Sequence, residues 1–188
     1  MSASSSCATP SAGWAQAIEY YRDVLHDPSV GDAIAVALGG DASVATNGFW
    51  AALTMATTLK LPILFYIEDN GYGISVPSKY QTPGGNIAAN LASFTGLTIF
   101  SGDGTAPVEA AKLAGEAVAH VRGRKGPAML HLKVPRLAGH SGQDTQAYKS
   151  ADFIQDEKSR DPLPKLKAFM AKHGLSEKGW AALEEIGR

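Results

Sequence analysis

Ala33-Ile-Ala-Val-Ala-Leu38-Gly39-Gly40-Asp41 and, one crossover later, Pro62-Ile63-Leu-Phe-Tyr-Ile67-Glu68-Asp69-Asn70 decide the fold of this chain. Each is a short apolar run that stops at glycine or acid, the pattern of a strand buried on both faces of a parallel sheet. Between them Asn47 can cap a helix whose Phe49, Leu53 and Ala56, with Leu59 or Lys60, fall on one side until Pro62 ends it. Strand, helix and strand within about 30 residues make a βαβ unit with a right-handed crossover.

Working outward, Ala12 to Leu25 places Ile18, Tyr21 and Leu25 at helical spacing and stops at His26-Asp27-Pro28. Downstream, residues 71–96 form a long connection rich in Gly, Pro, Ser and Asn, of the kind that is more often functional than idle. Leu97 to Phe100 reads as a third strand, Val108 to Val121 as an Ala-rich amphipathic helix, and Met129 to Val134 as a fourth strand after the Gly126-Pro127 turn. Residues 136–150 are polar and glycine-bearing, and a charged tail with weak helical periodicity follows. The expected organisation is a disordered Ser-rich leader at residues 1–11, an α/β domain over 12–150 and a helical tail over 151–188.

The 188 residues carry 17 Lys and Arg against 18 Asp and Glu, a net charge of −1, so no general field draws nucleic acid or anionic lipid. Any bound anion must be held locally. The single Cys7 has no second thiol for a disulfide, zinc or redox pair, and a reducing, cytoplasmic setting is the expectation. No apolar run reaches membrane-spanning length, and the leader has neither the arginines nor the apolar core of a targeting segment.

Ligands of parallel α/β sheets bind beyond the carboxyl ends of the strands. Two such ends carry oxygen donors, Gly40-Asp41-Ala42-Ser43 and Glu68-Asp69-Asn70-Gly71-Tyr72. Asp41 and Asn70 lie 29 positions apart, one crossover, and should emerge side by side. One carboxylate, one amide oxygen and a nearby carbonyl leave room for diphosphate oxygens and water, the partial cage that suits Mg²⁺. Gly39 and Gly40 permit close backbone approach, and the N–H groups that open the Asn47 helix face the anion. Gly102-Asp103-Gly104 has no Asn 25 to 30 residues later and reads as a structural turn. His131, between Leu130 and Leu132, reads as a satisfied core or edge histidine. Gly139-His140-Ser141-Gly142-Gln143 lacks the final glycine of a nucleophile elbow, and Gly123-Arg124-Lys125-Gly126-Pro127 lacks the Lys and Ser/Thr of a Walker loop.

Gly40-Asp41-Ala42 spaced to Asp69-Asn70 resembles the Gly-Asp-Gly to Asn-Asn pattern of the alpha subunits of thiamine diphosphate-dependent α-keto acid dehydrogenases. Asn70-Gly71-Tyr72-Gly73-Ile74-Ser75-Val76-Pro77, Arg136 through Gly139-His140-Ser141, Ala147-Tyr148-Lys149-Ser150 and Asp161-Pro162-Leu163 continue the similarity. The resemblance implies a three-layer α/β/α thiamine diphosphate-binding fold with a mostly parallel sheet. It also implies Mg²⁺ on Asp41, Asn70 and the Tyr72 carbonyl, and Gly40, Ala42 and Ser43 near the diphosphate. Arg136 and His140 would sit on a loop closing over the cofactor, His140 beside the reacting centre, and in some members serine phosphorylation switches that loop off. The implied activity is oxidative decarboxylation of a 2-oxo acid with acyl transfer to a lipoyl-bearing acyltransferase, shared with a beta subunit that supplies the activating glutamate. The match covers nearly all of this chain but only about the carboxyl-terminal half of such a subunit, without the Tyr and Arg that clamp the diphosphate. The alternative function is therefore a non-catalytic scaffold partner that folds on a beta subunit. Two departures, Ala42 for glycine and Asp69 for asparagine, fall within the motif itself.

Overall fold

A computed structural model of the chain describes residues 7–187. Helix α1 (Ala8–Asp23) precedes strand β1 (Ala35–Gly40), helix α2 (Asn47–Leu59) and strand β2 (Ile63–Asp69). A hairpin of β3 (Tyr72–Gly73) and β4 (Val76–Pro77) and the one-turn α3 (Ile87–Asn90) occupy the long connection. Then come β5 (Thr98–Asp103), α4 (Pro107–Arg122) and β6 (Ala128–Lys133), and three tail helices, α5 (Ala151–Ser159), α6 (Pro162–Lys172) and α7 (Glu177–Ile186). The four long strands form one parallel sheet in the order β1-β2-β6-β5. No helix among the described residues is long and apolar enough to cross a membrane.

The period-2 alternation of the strands divides the core in two. Ile63, Phe65, Ile67 and Met129 face α1 and α2, where Ala12, Ala15, Phe49, Leu53 and Ala56 complete one cluster. Leu64, Leu130 and Leu132 face the other way, onto Ala117 and Val121 of α4. Helices therefore cover both faces of a parallel sheet, the expected three-layer α/β/α arrangement. Phe65 is fully buried, and truncating such a ring to alanine costs about 3–5 kcal/mol.

The sequence reading needs four corrections. Strand β1 is not buried on both faces: it is an edge strand, and Val36 and Leu38 are exposed on the sheet face whose inner strands pack on α4. Helix α1 begins at Ala8, inside the segment expected to be disordered, because Pro10 falls in the first helical turn, where a missing N–H costs nothing. The rest of that expectation, residues 1–6, lies outside the described residues. Along α1 the buried stripe is Ala8, Ala12 and Ala15 with Ile18, while Tyr21 and Leu25 are exposed. The cap of α2 is Thr46, whose hydroxyl accepts from the Phe49 N–H; Asn47 is already helical. At the other end of α2, Lys60 closes the helix in the left-handed region at φ 54°.

Candidate active-site cleft

Parallel register sets Gly39 beside Ile67 and Gly40 beside Glu68, so the chain leaves β1 at Asp41 and β2 at Asn70 on the same sheet edge. There Gly40, Asp41, Ala42, Ser43, Asn70, Tyr72, Gly73, Ile74, Gln81 and His140 line a cleft of about 380 Å³. Of the eight site residues expected from sequence, seven line this cleft. Arg136 does not.

The turn after β1 is tight. A Cβ on Gly39 would lie 2.3 Å from the Ser43 hydroxyl oxygen, so any other residue would have to push that hydroxyl off the Gly40 carbonyl. The Ser43 hydroxyl donates to the Gly40 carbonyl over 2.6 Å, starting a short 3₁₀ turn at Ser43–Ala45. That turn, rather than the first N–H groups of α2, fronts the cleft, which corrects the expectation for Asn47. Ala42 sits at φ −71°, ψ −28°, where a methyl group is unstrained. Its departure from glycine is thereby accommodated.

Asp41 is 4% exposed, and neither of its carboxylate oxygens has a hydrogen-bond partner. Burial first, then the neighbouring Asp69 carboxylate, pushes its pKa up to about 6, while nearby backbone N–H groups and the Arg136 cation pull it partly back. An ionised carboxylate left bare in this way is costly until a cation or proton arrives. Among the described residues no group of three or more His, Cys, Asp or Glu is arranged to hold a metal. A cation here would therefore rest on one acid with neutral donors and ligand oxygens, a donor set that suits Mg²⁺.

Those neutral donors come from the turn after β2. The Asn70 amide oxygen accepts from the Tyr72 N–H at 3.1 Å and has a second lone pair. In the hairpin, Ser78 N–H donates to the Gly71 carbonyl, so the next pair, Tyr72 with Pro77, is the non-hydrogen-bonded one. The Tyr72 carbonyl thus stands outside the hairpin ladder, and proline at position 77 costs no bond. Gly71 turns the chain at φ +78°.

The 136–150 segment folds over this hairpin. The Arg136 guanidinium donates to the Ile74 carbonyl and to Asp144. Asp144 also accepts from the His140 N–H at 2.7 Å, the Gln146 N–H at 2.9 Å and the Tyr148 hydroxyl at 2.9 Å. Backbone N–H donation from His140 and then Gln146 lowers its pKa to about 2. These bonds place the exposed His140 at the rim of the cleft.

Three features escaped the sequence. Gln81 enters the cleft from the long connection, and its side-chain amide donates to the Val76 carbonyl. Lys149 and Glu157 form a buried ion pair at 2.5 Å, with the ammonium 4.7 Å from the Tyr72 ring centre. His131, fully buried and satisfied as expected, bridges Asp69 and Ser101. The strand expected to stop at Phe100 runs on through Gly102 and Asp103, and the turn begins only at Gly104; the Asp103 carboxylate fixes it by accepting from the Thr105 N–H and hydroxyl.

The profile of the family described as Dehydrogenase E1 component matches residues 5–185. The pyruvate dehydrogenase E1 component subunit alpha of Rhizobium meliloti is 32% identical over 157 residues, covering 82% of this chain and 43% of that relative. That of Zymomonas mobilis is 33% identical, covering 78% of this chain and 41% of the relative. The 3-methyl-2-oxobutanoate dehydrogenase subunit alpha of Mycobacterium tuberculosis is 27% identical, with 77% and 39% covered. The chain thus spans about two fifths of the length of these relatives, and with nearly all of its own length matched it belongs to the dehydrogenase E1 component family.

Proposed function

We propose that this chain is part of the decarboxylating component of a thiamine diphosphate- and Mg²⁺-dependent 2-oxo acid dehydrogenase. The observation that carries the reading is the buried Asp41 carboxylate, with no partner for either oxygen, in a cleft it shares with Asn70 and Tyr72. Asp41, the Asn70 amide oxygen and the Tyr72 carbonyl hold the cation, and the backbone at Gly40, Ala42 and Ser43 lies along the diphosphate. Thiamine diphosphate, when bound, supplies the carbanion that attacks the keto carbon and the electron sink for loss of CO₂. This chain's residues bind and orient. Arg136 fastens the covering segment through Ile74 and Asp144, and His140 stands at the rim, where its imidazole can move a proton at the reacting centre.

The chain forms one wall of the site. A beta subunit completes the cleft, and a lipoyl-bearing acyltransferase takes the acyl group. The relatives include pyruvate, 3-methyl-2-oxobutanoate and acetoin enzymes, so the substrate class is a small 2-oxo acid or its ketol equivalent. On this reading the purified chain has no keto-acid decarboxylase turnover by itself. The test is calorimetric titration of thiamine diphosphate with Mg²⁺ into the enzyme assembled with its beta subunit, comparing wild type with Asp41→Ala. Loss of Mg²⁺-dependent binding is expected, and unchanged affinity would refute the cation assignment.

A further inference from the structure

Two carboxylates end neighbouring strands, and the protein treats them oppositely. Asp41 has both oxygens bare, whereas Asp69, 8% exposed, has both engaged: Oδ1 accepts from the Gly71 N–H at 3.0 Å and Oδ2 accepts from His131 Nε2 at 2.9 Å. A carboxylate oxygen only accepts, so Nε2 carries a proton, and in the neutral imidazole Nδ1 accepts from the Ser101 hydroxyl at 3.0 Å. Register explains the reach. Ser101, His131 and Ile67 lie abreast on β5, β6 and β2, and Asp69 follows two residues later on the same face. An imidazole with no exposure in the middle of a strand is tolerated only because both nitrogens are bonded.

This chain of bonds ends at the backbone of the turn that presents Asn70 and Tyr72. The Asp69 side chain closes one turn onto Gly71 and the Asn70 side chain closes the next onto Tyr72, two consecutive side-chain-to-backbone turns. Were Asp69 free to rotate, the first would open and Asn70 would lose its fixed aim. The Ser-His-Asp order is that of a hydrolase relay, but Ser101 lies within β5 between Phe100 and Gly102, away from the residues that line the cleft. The bonds hold position instead.

We infer that Asp69 and His131 are positioning residues that fix the Asn70–Tyr72 turn against Asp41, so that the amide and carbonyl oxygens converge on one cation. The inference rests on the cation site of the proposed function. Supporting contacts of this kind change metal affinity by about tenfold or more when removed.

The experiment uses the full chain, with Mn²⁺ as the cation probe followed by its free-ion paramagnetic resonance signal. Amide hydrogen exchange at Gly71 and Tyr72 is measured in its absence. His131→Leu should speed exchange at both amides about tenfold, with Phe65 in β2 unchanged, and should weaken Mn²⁺ binding by about the same factor. His131→Gln, whose amide N–H can reach the same carboxylate, should restore both to within about threefold. Asp69→Leu removes both acceptors, and should speed Gly71 exchange even if His131→Leu fails to fold. Unchanged exchange at Gly71 and Tyr72 in His131→Leu or in Asp69→Leu, or no rescue by His131→Gln, overturns the inference. If Asp41→Ala binds Mn²⁺ as tightly as wild type, the cation site is wrong, and the exchange rates still decide whether Asp69 and His131 hold the turn.

Discussion

Asp41→Asn should make the cation-free protein more stable while removing cation binding. The substitution keeps the shape of the side chain and deletes its charge. With the pKa pushed from 3.8 to about 6, the ionised form is disfavoured in the folded state by roughly two pKa units, about 3 kcal/mol at pH 7. Because the folded value is raised, this penalty is absent below the ordinary value, grows as pH rises from 3.8 to about 6, and is complete above it. Asparagine leaves a neutral amide that still needs partners, at a cost of about 1 kcal/mol or more. A net gain of about 2 kcal/mol near pH 7, and none or a small loss near pH 4, is the expectation.

Urea unfolding of both proteins at the two pH values, with and without Mg²⁺, measures this directly. Mg²⁺ should stabilise wild type, by about 1.4 kcal/mol at ten times its dissociation constant, and leave Asp41→Asn unmoved. The pH contrast separates electrostatics from packing. If Asp41→Asn shifts stability equally at pH 4 and pH 7, the buried carboxylate is not under the strain described. If Mg²⁺ stabilises both proteins alike, the cation binds elsewhere.

Asn70→Ala should weaken Mg²⁺-dependent thiamine diphosphate binding less than Asp41→Ala does, whereas Asp103→Ala should leave it untouched and cost about 1 kcal/mol of stability through the lost Thr105 bonds; calorimetry and urea unfolding read the two effects. Lys149→Met should destabilise the fold by about 3–5 kcal/mol by leaving Glu157 charged and buried without its partner, with Glu157→Leu in the same background recovering much of the loss in denaturation midpoint. Below the ordinary carboxylate range the 136–150 segment should loosen, because the depressed Asp144 pKa contributes stability that is present above 3.8 and lost as pH falls toward about 2; faster amide exchange at His140 and Gln146 than in β2 would report it. In the assembled enzyme Ser141→Glu should lower activity strongly and Ser141→Ala only mildly, since a negative charge beside the diphosphate repels it, and His140→Ala should impair lipoamide acylation more than cofactor binding.

The strands were legible because each is an apolar run bounded by Gly, Pro or acid, and the adjacency of Asp41 and Asn70 followed from parallel pairing alone. What was not legible depends on neighbours distant in sequence. Whether Val36 and Leu38 are covered turns on which element lies over β1, and the spacing of that strand is silent about it. Thr46 and Asn47 are both good capping residues, and the choice is made by the 3₁₀ turn at Ser43–Ala45, whose Ser43 carbonyl accepts from the Thr46 hydroxyl. His131 was readable as a buried histidine but not as the partner of Asp69, 62 positions away, or of Ser101, 30 positions away. Those contacts come from the order β2-β6-β5, which skips along the chain. Tyr21 and Leu25 show the same limit from the other side, since helical spacing marks a face without saying that anything packs on it.

The 136–150 segment and the Asn70–Tyr72 turn are parts of one unit, and the reason is a single carboxylate. Glu157 of α5 is 2% exposed, accepts from the Arg136 N–H through Oε1 and pairs with Lys149 through Oε2, so it gathers both ends of the 136–150 segment. Closing a loop at its base in this way restricts where its tip can go. The base is then joined to the hairpin, with the Lys149 ammonium over the Tyr72 ring and the Arg136 guanidinium and Tyr148 hydroxyl both donating to the Ile74 carbonyl. Tyr72 and Ile74 belong to the same turn that carries the proposed carbonyl ligand. These contacts tie the rim bearing His140 to the hairpin that carries that carbonyl, without passing through the sheet. A charge placed at Ser141 would stand next to His140, whose N–H donates to Asp144, the acceptor that joins it to Arg136. Loosening there would release the rim before it disturbs Asp41, whose place is set independently by β1 and the Gly39 turn.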